Sequence, residues 1–242
     1  MPGQASHPCQ RQAMLFDEAS LLRHEESGQR EGEEQERLKQ LEALKRLQET
    51  LRLCRRCQDQ GYLEQALPVV SPVPHEGLIG GLMVIGQAPG LRSQQRGIPF
   101  GGPGGRILQS WLEQAGFPPG YLHQRAYLSS LTRCYPGPAP HGQGDRRPSP
   151  QELALCRPFL EAELRLLRPR AVLLVGVMAI EAFWGKVKLE EIIGTGRIEE
   201  TRRWLPLPHP SGISRWLNVP RHREQLQRAL TLLADWRREL GL

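Results

Sequence analysis

Four cysteines form the chain's densest concentration of metal-binding chemistry: Cys54-Arg-Arg-Cys57, Cys134 and Cys156. A C-x-x-C pair joined by two further thiolates suits a tetrahedral zinc ion or a [4Fe–4S] cluster, and spacing alone leaves both open. The fifth cysteine, Cys9, stands apart in a polar stretch and is expected to be spare. A second chemical centre is His209, set in Leu207-Pro-His-Pro-Ser211-Gly212. A lone histidine is more often structural, but one framed by Pro and Gly in a loop has a fixed backbone and few packing demands, which favours a functional role. A third is glycine-rich: residues 86–105 contain seven glycines, in Gly86-Gln-Ala-Pro-Gly90 and in the run from Gly97 to Gly105. Glycines let backbone approach a ligand closely and expose N–H groups. This is no phosphate loop, since the Lys-Ser/Thr ending is absent and no G-x-G-x-x-G follows the preceding apolar run.

These residues need a frame. Leu-Met-Val-Ile within residues 81–86 reads as a buried strand, as do residues 126–131, 171–176 and 204–207. Apolar residues at helical spacing predict helices over 106–116, 150–167, 177–184 and 221–240. Strands alternating with helices imply a three-layer α/β/α fold with a mainly parallel central sheet. In such sheets ligands bind where loops leave the carboxyl ends of the strands, and the three unusual loops leave predicted strands there. Ahead of this core, Leu38, Leu41, Leu44, Leu47 and Leu51 predict an amphipathic helix over 35–53, followed by a Pro-rich extended connection through Pro68, Pro72 and Pro74. Residues 1–33 are polar and without a sustained period; they are expected to form a disordered or loosely docked arm, leaving 34–242 as the catalytic domain.

Taken in order, G-Q-A-P-G at 86–90, G-x-P-F-x-G-x-x-G-R ending at Arg106, the cysteine arrangement and H-P-S at 209–211 resemble the uracil-DNA glycosylase superfamily, most closely its iron–sulfur branch, family four. The resemblance implies a DNA glycosylase of base-excision repair and favours [4Fe–4S] over zinc at Cys54, Cys57, Cys134 and Cys156. It implies that His209 and Gln87 are the catalytic pair: the imidazole stabilises the departing base and Gln87 orients a water. Phe100 would stack on the extruded base, with Gly86, Ala88 and Ser130 completing the base site. Ser211, Gly212, Ile213 and Arg215 would contact DNA, Ile213 and Arg215 as the wedge that fills the vacated stack, with Trp216 as an alternative core residue. Arg92, Arg96, Arg146 and Arg147 would supply charge to the phosphates.

Two positions depart from the branch. Gln87 stands where an acid is usual and has no basic carboxylate; Ser130 stands where Asn commonly reads the base edge. They motivate an alternative, a member that binds damaged or single-stranded DNA and cleaves little. No lysine beside the motifs offers a Schiff base, so the expected enzyme is monofunctional.

Composition agrees with a polyanionic partner. Lys and Arg number 32 against 26 Asp and Glu, a formal charge of +6. Apolar runs are too short to span a bilayer and the start lacks a secretory pattern, so a monomer in the cytoplasm, at the nucleoid if bacterial, is the expected setting.

Overall fold

The computed structural model describes residues 10–72, 75–140, 144–210 and 215–242. In chain order the elements are α1 (Gln10–Arg52), α2 (Arg56–Asp59), β1 (Leu82–Gly86), α3 (Leu91–Arg96), α4 (Pro103–Gln114), α5 (Tyr121–Gln124), β2 (Tyr127–Ser130), α6 (Pro150–Leu167), β3 (Ala171–Val175), α7 (Val177–Trp184), α8 (Leu189–Ile192), β4 (Arg197–Glu199), β5 (Arg202–Leu207) and α9 (Pro220–Leu240). Two compact units divide after Gln40, and Leu41–Leu242 carries the sheet and all its loops. Helix α1 begins at Gln10, well before the 35 that periodicity predicts. Residues 10–34 are rich in Glu, Gln, Arg and Leu, which favour helix without drawing an apolar stripe for periodicity to detect.

The sheet has the order β2-β1-β3-β5-β4. The first four strands run parallel, and β4 closes the edge as an antiparallel hairpin with β5. Strands β1 and β3 are buried along their whole length, as continuous apolar runs in a helix-covered parallel sheet should be. Alternation sorts their side chains. Leu82, Val84, Leu128, Leu173 and Leu205 face a core with Leu108, Trp111 and Leu112 of α4 and Leu226, Leu230 and Leu233 of α9. Met83, Ile85, Tyr127, Val172 and Leu174 face Leu44 of α1, Leu160, Leu164 and Leu167 of α6, and Ile180 of α7. These two helical layers around one sheet are the expected three-layer α/β/α architecture.

Helix α6 starts at a capping box: the Ser149 side chain accepts from the Glu152 N–H, and the Glu152 carboxylate accepts from the Ser149 N–H. The Pro-rich connection covers the open edge of β2. Ser71 Oγ accepts the Leu128 N–H at 3.2 Å, and the Val69 N–H donates to the Arg133 carbonyl at 2.8 Å. A bare edge strand would otherwise invite pairing with another chain. No helix among the described residues is long and apolar enough to cross a membrane.

Candidate functional site

Strands β1, β2, β3 and β5 are parallel, so their carboxyl ends lie together, and three loops leave them there. After β1, Gly86 pairs in register with Ser130 of β2, and the Thr132 N–H donates to the Gln87 carbonyl at 3.3 Å. This fixes Gln87 and Ala88, both half-buried, beside the β2 loop. The chain returns through Phe100, whose ring lies against Gly86: a Cβ built on Gly86 would come within 2.9 Å of Phe100 Cζ. Phe100 has φ +52, a conformation that non-glycine residues rarely adopt. The loop holds it there. The Gly101 N–H donates to Ser93 Oγ at 3.1 Å, and Arg96 donates to the Gly101 carbonyl at 2.8 Å. Phe100 packs against the core and also lines a hollow of about 490 Å³ edged by Arg96, Arg106 and His123.

His209 follows β5. The Gly176 N–H donates to the Leu207 carbonyl at 2.9 Å, and a Cβ on Gly176 would lie 3.3 Å from His209 Cδ2. Gly176 has φ +85, so a side chain there would be strained as well as crowded. A Cβ on Gly104 would in turn stand 2.8 Å from the Pro210 carbonyl oxygen, which ties the Phe100 loop to the His209 loop. Gln87, Phe100, Ser130 and His209 thus share one end of the sheet. His209 keeps an exposed face, yet the protein around it strips hydration and holds its pKa below the usual histidine value, against an upward pull from Asp145. Its imidazole is therefore neutral at neutral pH.

Ser130 is buried and its hydroxyl donates to the Thr132 carbonyl at 2.6 Å. Behind it runs a polar chain. Arg133 donates to the Ser130 carbonyl and to Glu163 Oε2 at 2.6 Å; Ser129 Oγ donates to the same oxygen at 2.7 Å, and Tyr127 donates to Glu163 Oε1 at 3.0 Å. Sequence reading missed Glu163, although its place in the stripe Leu160, Leu164, Leu167 marks it as a carboxylate inside a core. It also missed Asp145, which nothing in its local sequence singles out.

The four cysteines come from α1's end, α2, the β2 loop and α6. All are free, with Cys57 and Cys156 buried and Cys54 and Cys134 half-buried. Burial, then the neighbouring Cys156, pushes Cys57 up to about 11; burial, then Cys156, Cys57 and Cys54, pushes Cys134 up to about 12. Thiols that raise one another lie within electrostatic range of one another. Arg56 pins α2 on α6, donating to the Leu155 carbonyl at 3.2 Å and lying 4.7 Å over the Phe159 ring. Among the described residues, no three of His, Cys, Asp or Glu are grouped for a single metal ion.

Of the expected DNA-contacting residues, Ser211, Gly212 and Ile213 lie outside the described residues, and Arg215 opens a 3-10 turn (Arg215–Asn218). Trp216 stacks on His222 at 4.2 Å and packs against the core, the alternative that sequence had left open. Arg146 is not free for phosphate: it binds Glu152 through two bonds of 2.7 and 2.8 Å, because its position puts the guanidinium over the α6 cap. Arg92, Arg96 and Arg147 are exposed.

Residues 80–233 match the family model of the uracil DNA glycosylase superfamily. The chain belongs to that superfamily. It is similar to the type-4 uracil-DNA glycosylase of Pyrobaculum aerophilum, 27% identical over 199 residues that cover 78% of this chain and 92% of the relative. The type-4 enzyme of Archaeoglobus fulgidus is 24% identical over 196 residues, 77% of this chain and 89% of the relative. A third, from Thermotoga maritima, is 26% identical over 102 residues, 42% and 48% of the two chains. These relatives support the family-four branch that the motifs resemble. The matched segment contains all three loops at the carboxyl edge of the sheet, whereas Cys54 and Cys57 precede it.

Proposed function

We propose that this protein is a monofunctional DNA N-glycosylase that flips uracil or a related deaminated base out of DNA and hydrolyses its N-glycosidic bond. The observation that carries this reading is the meeting of the Gln87, Phe100 and His209 loops at one end of the sheet of a uracil-DNA glycosylase-type domain. Bond cleavage leaves positive charge on the sugar and negative charge on the base. A neutral His209 N–H donates to the base oxygen and stabilises the anion. Gln87 holds a water by hydrogen bonds, Phe100 stacks on the flipped base, and Gly86 and Ala88 offer backbone to it. Ser130 sits at the base edge. Ser211, Gly212, Ile213 and Arg215 are assigned to DNA, with exposed arginines supplying phosphate charge.

The resemblance to the iron–sulfur branch favours a [4Fe–4S] cluster over zinc at the four cysteines. A single zinc needs all four sulfurs about 2.3 Å from one point, whereas a cubane takes one thiolate per iron and so accepts a wider set. When bound, the cluster supplies a cross-link among four chain segments. Cys54, Cys57, Cys134 and Cys156 would then hold α2 and the β2 loop on α6, beside the base site. In this reading residues 1–33 are an accessory arm outside the catalytic domain of 34–242, and the enzyme works as a monomer in the cytoplasm.

A second reading rests on Ser130, whose hydroxyl proton is already committed to Thr132, and on the amide at Gln87. It makes the protein a binder of damaged or single-stranded DNA with little cleavage. Labelled oligonucleotides carrying uracil, hypoxanthine or xanthine, incubated with protein and then treated with alkali, separate the two. Strand scission supports the glycosylase; retained binding with no scission supports the binder.

A further inference from the structure

A sugar that becomes cationic as its base departs is stabilised by a nearby carboxylate, which can also take the proton of an attacking water. Gln87 is an amide and takes up no proton. A carboxylate nevertheless reaches the same end of the sheet. Asp145 enters from the connection between β2 and α6, and its Oδ2 lies 3.0 Å from the point where a Cβ on Gly90 would stand, three residues beyond Gln87. Its backbone is fixed on both sides. Asp145 forms an antiparallel bridge with Pro138, the Ala139 N–H donates to the Gly144 carbonyl at 3.0 Å, and the Arg146 N–H donates to the Gly137 carbonyl at 2.9 Å. The two hydrogen bonds from Arg146 to Glu152 anchor the next residue to α6. The carboxylate itself remains exposed. Its charge reaches His209 on the other loop, and it also faces the Tyr135 phenol. An exposed acid on the face that would receive a polyanion weakens binding, so chemistry accounts for it better than affinity does.

We propose that Asp145 is a catalytic residue of base excision, the carboxylate that faces the sugar and accepts the proton of the attacking water. The proposal rests on the glycosylase reading above. In the step, the water oxygen bonds to C1′ and one of its protons passes to Asp145. The C1′–N bond breaks, its electron pair leaves with the base, and His209 donates a hydrogen bond to the base oxygen. The proton on Asp145 then passes through water to the departed base, so no further reactant is needed.

The test is single-turnover excision by the full-length protein on an oligonucleotide carrying whichever base the wild type removes, with DNA affinity and thermal unfolding measured in parallel. Asp145→Asn should slow excision about a hundredfold or more, with unchanged unfolding and equal or tighter binding. Asp145→Ser, which also lacks a proton acceptor, should behave alike. Excision by both variants within about threefold of the wild type overturns the assignment, as does a loss matched by an equal loss of binding. A wild type that excises none of the three bases overturns this proposal together with the glycosylase reading; an active wild type with equally active variants overturns this one alone.

Discussion

Arg133 and Glu163 form a buried ion pair at 2.6 Å, and the same guanidinium binds the carbonyl of Ser130. Their side chains are 3% and 2% exposed, so neither charge has water to fall back on. Glu163→Ala should lower stability by about 3–5 kcal/mol, since removing one partner leaves an uncompensated buried charge. Denaturant unfolding of the two proteins checks this; a change under about 1 kcal/mol would mean that the pair is solvated.

Gly86→Ala places a methyl group against the Phe100 ring, which must move. Overpacking of this kind costs about 1–3 kcal/mol of stability, too little to unfold the domain. Excision should fall more steeply, on the order of a hundredfold, because a displacement of about 1 Å is enough to spoil positioning. Comparing kcat with the unfolding midpoint separates the two effects.

The Cys134→Ala protein should lose the brown colour and the bound iron expected of the wild type, and should unfold at a lower temperature. Removing iron from the wild type with a chelator should produce the same shift. A colourless wild type containing stoichiometric zinc contradicts the cluster.

Burial alone would raise the Glu152 carboxyl, but hydrogen bonds from Arg146 and Ser149 outweigh it and hold the pKa below the usual carboxylate value. The folded state therefore binds its proton less readily than the unfolded chain. The stabilisation is fully present above the unfolded value of about 4.3 and is lost as pH falls from there through the lower folded value. Glu152→Gln should unfold at lower temperature at pH 7 and lose less stability on acidification than the wild type. Thermal unfolding at several pH values gives both slopes.

Asp145 supports the protonated form of His209 while burial opposes it. Asp145→Asn should therefore lower the His209 pKa further, which NMR titration of the imidazole reads directly. An upward shift would show that the carboxylate does not face it.

The sequence made the central frame legible because buried strands and amphipathic helices leave simple patterns: the bounds expected for the helices at 150–167 and 177–184 are those of α6 and α7. It did not reveal α3, α5 or α8, which are too short to show a period, nor β4, three residues with one half-buried and two exposed side chains at the sheet edge. The loops of Gln87, Phe100 and His209 were readable from glycine, proline and histidine in unusual company. Asp145 was not, because its relation to Gly90 and His209 exists only in space. The partner of Arg146, Glu152 six residues on, was not legible either, because charge alone does not say whether a guanidinium meets phosphate, solvent or a carboxylate.

Strand order has a kinetic consequence. The chain lays down β1, β2 and β3 before β5, yet β5 lies beside β3 and delivers His209. Of the neighbouring strand pairs, only β4 with β5 is local in sequence; the others must wait for long loops to close, which slows folding. A nascent chain emerging from the ribosome therefore exposes the glycine-rich loop long before its imidazole counterpart exists, and competence for chemistry waits until β5 and the loop behind it have been made.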